Sequence, residues 1–100
     1  MPKDVDIVKP REGCITNHYV LQTLCSDRDL LMEYLDKKGI ETKIRHSFLL
    51  QDHPAIRNCS VGETPIARSF LDRILCLPIH ENLSRREVDY VANSVSEFYL

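Results

Sequence analysis

The chain has 100 residues, 43% of them hydrophobic and 28% charged, with 13 basic against 15 acidic side chains and a formal charge of -2. That length and balance suit one small globular domain with a single core. They exclude nucleic acid and an anionic membrane as partners, because both are recognised through a basic face and no basic run is longer than Lys37-Lys38 or Arg85-Arg86.

The N-terminal stretch MPKDVDIVKPREG scatters its charges and has no apolar segment, so it reads as neither a signal peptide nor a transmembrane helix, and the expected location is the cytoplasm. Residues 1–15 read as a polar leader and residues 16–100 as the folded domain. The cysteines at 14, 25, 59 and 76 are expected to be reduced, small apolar residues. Cys14-x3-His18 and Cys76-x3-His80 have a ligand-like spacing, but no metal is expected. The first pair falls at the start of a strand, where four residues span about 13 Å, and zinc ligands sit about 2.0–2.3 Å from the metal. The second pair is interrupted by Pro78.

The first strand is predicted over residues 17–25, where Tyr19, Leu21 and Thr23 alternate with His18, Val20, Gln22 and Leu24. A helix follows, with Ser26 as N-cap, Asp27 and Asp29 in the first turn, and Leu30, Leu31, Tyr34 and Leu35 on one face. Lys37-Lys38 close it, Gly39 supplies the left-handed stop, and Ile40 folds back on it. Residues 40–46 read as a second strand. Residues 47–62 form a long loop carrying Gln51, Asp52, His53, Pro54, Arg57, Asn58 and Cys59, a length that is often functional. Its Phe48, Leu49, Leu50, Ala55 and Ile56 imply that it packs on something.

The second helix opens with Thr64 as N-cap and Pro65 at its first position, with Ile66, Ala67, Phe70, Leu71 and Ile74 as its buried stripe. Residues 74–79 are a short third strand, which Pro78 confines to an edge or an end. The third helix begins at Ser84-Arg85-Arg86-Glu87, a capping-box sequence, and carries Val88, Val91, Ala92, Val95 and Phe98 on one face. This order specifies an α+β fold, a small antiparallel or mixed sheet with about three helices packed on one face.

Three stretches together carry a resemblance: the His18-Tyr19-Val20 strand, the DRD…L..YL..KGI.T helix and turn from Asp27 to Thr42, and the A..F...IL.LPIH..LS..EVDYV...V..FY ending from Ala67 to Tyr99. In this order and spacing they are similar, almost end to end, to the C-terminal small domain of the pyridoxal-phosphate-dependent sugar aminotransferases of the DegT/DnrJ/StrS type. The resemblance implies the small domain of a fold-type I aminotransferase, which covers one side of an active site built mainly by a large cofactor-binding domain. It also implies a nucleotide-sugar substrate, amino-sugar, polysaccharide or antibiotic-sugar biosynthesis, and a possible homodimer.

That chemistry requires an activated Schiff-base lysine, an acid against the pyridinium nitrogen and a cradle for the phosphate. None of Lys3, Lys9, Lys37, Lys38 and Lys43 stands in the family's lysine motif. No catalytic or cofactor-binding residue is therefore expected here, and the chain alone is expected to be inactive, with pyridoxal phosphate held by a large domain supplied in cis or in trans. What the resemblance leaves to this chain is substrate contact through Arg45, His46, Gln51 and His53. Relatives carry histidines where Arg45 and Gln51 stand, and aromatic and amide groups where His46 and His53 stand, while Pro54-Ala55 keep the family pattern. Arg45 has the planar fork for a diphosphate or carboxylate, and His46 can hydrogen-bond a sugar hydroxyl. The structural alternative for Arg45 is an ion pair, for instance with Asp52. The alternative for the whole chain is a free-standing, non-catalytic binding or interaction module that kept the fold.

Overall fold

A computed structural model describes residues 2–56, 58–59 and 62–100; Arg57 of the long loop lies outside the described residues. A three-stranded antiparallel sheet is its centre, ordered β1 (Val5–Ile7), β2 (Leu21–Cys25), β3 (Ile74–Leu77). Val5 pairs with Cys25, and Thr23 pairs with Ile7 on one side and Leu75 on the other. The period of two therefore turns Val5, Thr23, Cys25, Leu75 and Leu77 to one face, where all five are buried. Thr23 is the polar member of that face, and its hydroxyl donates to the Leu75 carbonyl at 2.8 Å. A buried hydroxyl without such a partner would cost about 1–3 kcal/mol.

Two helices close this face. Helix α1 (Arg28–Lys37) contributes Leu31 and Leu35, and α3 (Arg85–Phe98) contributes Val95, with Val91 and Phe98 packed alongside. Gly39, at φ 78°, reverses the chain after α1 and lets the Ile40 N–H bond the Leu35 carbonyl at 2.9 Å, which seats Ile40 in the core. The capping box of α3 is complete: Ser84 Oγ accepts from the Glu87 N–H at 3.1 Å, and Glu87 Oε2 accepts from the Ser84 N–H at 2.8 Å. The helices are tied to each other by Lys38 donating to Glu97 at 2.8 Å and the Tyr90 hydroxyl donating to the Lys38 carbonyl at 2.8 Å.

The α+β architecture is the one expected from the element order, and several local expectations are corrected. Strand β1 lies inside the stretch read as a leader. Strand β2 begins only at Leu21, because Thr16 Oγ1 and Asn17 Oδ1 accept the His18 and Tyr19 N–H groups at 3.1 Å each and hold His18 at φ 57°, outside any strand. The strand predicted over residues 40–46 reduces to one bridge, Lys43 opposite Cys76, with N–H···O distances of 3.1 and 2.8 Å. Ile40 is held by the end of α1, which leaves little chain free to pair.

The N-cap of α1 is Asp27, at φ 52° and without a side-chain cap bond, rather than Ser26. Ser26 is held instead between sheet and C-terminus: its N–H donates to the Asp4 carbonyl at 3.0 Å, and the Tyr99 hydroxyl donates to its carbonyl at 2.5 Å. Helix α2 (Pro65–Phe70) starts at the expected Thr64-Pro65 but buries none of its residues, and Ile74 belongs to β3. The stripe predicted as core on α2 is thus largely exposed. Of the cysteines, Cys25 and Cys76 are buried, Cys14 and Cys59 are exposed, and all four thiols are free. Among the described residues no cluster of histidine, cysteine and acidic side chains is arranged to hold a metal, and no helix is long and apolar enough to cross a membrane.

Candidate functional site

The loop and α2 border the sheet's second face, which carries Gln22 and Ile74, and the four expected contact residues fall in the stretch of chain between Lys43, bridged to Cys76 of β3, and α2. They do not form one cluster. Arg45 opens into a cleft of about 450 Å³ whose walls include Tyr19, Glu41, Lys43 and His80. The turn made by Thr16 and Asn17 sets Tyr19 at its mouth, and the Arg45 guanidinium lies 5.2 Å from the centre of the Tyr19 ring while donating to the Tyr19 hydroxyl. The ion pair with Asp52 considered above is not made; Asp52 accepts from Arg68 at 3.0 Å.

His46 and His53 border a second depression, also about 450 Å³, floored by Gln22, Leu49, Leu71 and Ile74. The His53 ring packs against Phe48, with centres 5.6 Å apart, and its Nδ1 accepts from the Ala55 N–H at 3.2 Å. In the neutral ring this acceptor role leaves the proton, and with it the donor, on Nε2. Two exposed imidazoles beside an apolar floor can bond hydroxyls of a ring whose carbon face rests on that floor.

Gln51 lies away from both openings. It donates to Thr64 Oγ1 at 2.7 Å and to Glu63 Oε1 at 3.5 Å. Arg68 completes the cluster, donating to Glu63 at 2.9 Å as well as to Asp52. The bond from Arg68, followed by the one from the Thr64 N–H, holds the Glu63 carboxyl below the usual carboxylate range, and the two carboxylates push the Arg68 guanidinium further up. This cluster clasps the loop to the start of α2, so Gln51 positions the loop on which His46 and His53 sit.

Sequence reasoning missed Tyr19, Lys43 and His80 as neighbours of Arg45, and Arg68 as the centre of the clasp. Tyr19 was visible as an aromatic on a strand pattern, but no local spacing joins residue 19 to residue 45. Burial raises the Cys76 thiol above its ordinary value at the back of the Arg45 cleft, which makes it a lining group rather than a nucleophile.

Residues 5–96 match the protein family described as the DegT/DnrJ/EryC1/StrS aminotransferase family. Over 69 residues, 67% of this chain and 19% of the relative, the sequence is 33% identical to the erythromycin biosynthesis sensory transduction protein EryC1 of Saccharopolyspora erythraea. The fold superposes on a DegT DnrJ EryC1 StrS aminotransferase from Brucella abortus with a TM-score of 0.89 and 27% identity, covering 95% of this chain and 26% of that one. Against DesV of S. venezuelae, solved in complex with a ketimine intermediate, the TM-score is 0.87 and the identity 25%, again with 95% and 26% covered. The chain therefore spans about a quarter of the solved structures it matches.

Proposed function

Because the chain belongs to the DegT/DnrJ/EryC1/StrS aminotransferase family, we propose that it acts as the C-terminal domain of a pyridoxal-phosphate-dependent enzyme that aminates a nucleotide-linked sugar, covering the substrate side of the active site. The observation that carries this reading is the superposition of nearly the whole chain on one quarter of family aminotransferases.

The residues of this chain do not fit the cofactor. A Schiff-base lysine must be desolvated or otherwise made neutral, whereas Lys3, Lys9, Lys37 and Lys43 are exposed and the half-buried Lys38 is bonded to Glu97, which raises its pKa and keeps it an ammonium. The lysine, the pyridinium partner and the phosphate cradle belong to a large domain, joined in cis or supplied in trans. Soluble, cytoplasmic work on an activated sugar accords with this assignment.

The substrate side falls to the two openings. Arg45, bonded to the Tyr19 hydroxyl and next to Lys43, offers planar donors to a diphosphate, and His46 and His53 offer ring nitrogens to sugar hydroxyls. An isotope-labelled chain titrated with a nucleoside diphosphate sugar, read by NMR, tests this. Shifts are expected to cluster at Tyr19, Lys43 and Arg45, to weaken with salt and to vanish in Arg45→Ala. Shifts confined to other residues would overturn the substrate assignment, and a single reducible pyridoxal phosphate adduct on Lys43 would overturn the assignment of the cofactor to another domain.

A further inference from the structure

Three arginines of the chain are held by carboxylates: Arg28 by Asp29, Arg68 by Asp52 and Glu63, and Arg85 by Asp89. Arg45 is held differently. Among the described residues it makes no ion pair, and the group that accepts its guanidinium N–H is the uncharged hydroxyl of Tyr19. The backbone brings Arg45 to this place. Residues 41–45 run past β3, bridged at Lys43, and exposure alternates along them: Glu41, Lys43 and Arg45 face solvent, whereas Thr42 and Ile44 are half-buried, Ile44 against the core. The three exposed side chains line one cleft, and Tyr19 lines it too. Tyr19 is 69% exposed, so burial does not account for where its ring lies. Its place is set by the turn before it, in which Asn17 Oδ1 accepts the Tyr19 N–H.

We infer, resting on the substrate reading proposed above, that Tyr19 is a positioning residue for Arg45: its hydroxyl holds the guanidinium in the cleft without neutralising it, so that an oxyanion meets a cation already ordered. The Lys43 bridge, with N–H···O distances of 3.1 and 2.8 Å to Cys76, fixes the backbone two residues before Arg45 but leaves the rotatable bonds of the side chain free. The Tyr19 hydroxyl restrains the far end. A carboxylate in its place would hold the guanidinium as well but would cancel the charge that draws the anion. With no acceptor there, the charge would remain, but the side chain would give up its rotamer freedom only on binding, at a cost to affinity. Among the described residues Glu41 is the cleft's one carboxylate, and it does not pair with Arg45, which leaves Lys43 and Arg45 in excess for an anion.

The test compares the purified chain with its Tyr19→Phe variant, which deletes only the hydroxyl oxygen, using uridine diphosphate as the probe and NMR as the readout. Tyr19→Phe is expected to leave the urea midpoint unchanged, to lower the order parameter of the Arg45 Nε–H group in the free chain, and to weaken uridine diphosphate binding about three- to tenfold. The dependence of Kd on salt should stay that of the unaltered chain, because no charge is removed. In Arg45→Ala, which removes the cation itself, binding is expected to be lost. Weaker binding in Tyr19→Phe with Arg45 as ordered as before would overturn the inference, since Tyr19 would then bond the anion itself. An unchanged affinity would overturn it too, and a tighter one would make Tyr19 a competitor of the ligand and overturn it likewise. Those three outcomes leave the substrate reading standing. No binding of uridine diphosphate by the unaltered chain, or equal binding by Arg45→Ala, would overturn that reading and the positioning role with it.

Discussion

Leu35 and Ile66 look equivalent in the sequence, each an aliphatic residue on the apolar stripe of a helix, and the structure separates them. Leu35 is fully buried among the core residues between the sheet and α3, whereas Ile66 stands largely in solvent. Leu35→Ala deletes three carbon atoms, worth about 2.4 kcal/mol at roughly 0.8 kcal/mol per buried methylene. The cavity left beside Leu31, Leu75 and Val95 adds to this, for a total of about 3–4 kcal/mol within the usual range of core truncations. Ile66→Ala removes exposed surface and improves helix propensity, so its effect should stay within about 0.5 kcal/mol of either sign. Urea unfolding followed by far-ultraviolet circular dichroism measures both. With a slope of about 2 kcal/mol per molar urea, Leu35→Ala should lower the midpoint by about 1.5–2 M and Ile66→Ala should leave it nearly unmoved. Equal shifts in the two variants would refute the assignment of α2 to the outside of the core, and a loss below about 1 kcal/mol at Leu35 would refute the core itself.

Ser84→Ala removes the hydroxyl half of the α3 capping box and should destabilise by about 1 kcal/mol, read in the same urea experiment. Acid should weaken the fold through the carboxylates whose folded pKa lies below its unfolded value: Glu97, bonded by Lys38; Glu87, bonded by the Ser84 N–H; and Glu63, bonded by Arg68. The stability each adds is complete above the ordinary carboxylate range and disappears as pH falls through the folded pKa, so Glu97→Gln should flatten the fall in midpoint between neutral and acid pH. With a thiol reagent under native conditions, Cys14 and Cys59 should react first, and Cys25 and Cys76, whose pKa burial pushes up, only after urea unfolds the chain.

What could be read from the sequence was what short-range chemistry decides. The Ser84-to-Glu87 box, the Gly39 stop and the Thr64-Pro65 start act within a few residues, and each stands where the pattern put it. Strand β1 escaped notice because Val5-Asp6-Ile7 is a strand only by pairing with residues 23–25. Residues 40–46 have strand composition, but the core claims Ile40 and leaves a single bridge to Cys76. The α2 stripe was misjudged for a different reason: a period of 3.6 reports an apolar face and is silent about what covers it. The candidate site divides in the same way. Arg45, His46 and His53 could be singled out by residue type, but the partnership of Arg45 with Tyr19 and the diversion of Gln51 and Asp52 into the clasp depend on contacts between distant parts of the chain.

The two faces of the sheet serve different ends. On one, α1 and α3 bury the apolar residues that supply most of the stability, and none of Arg45, His46, Gln51 and His53 belongs to that core. On the other, a loop and a short helix are held by polar bonds among exposed side chains, which contribute little stability but fix geometry. Segments with few buried apolar contacts are those that open and rearrange most readily. Changes at residues 45–53 can therefore alter what the surface recognises at little cost to the core. This separation lets the surface vary while the core keeps the family fold.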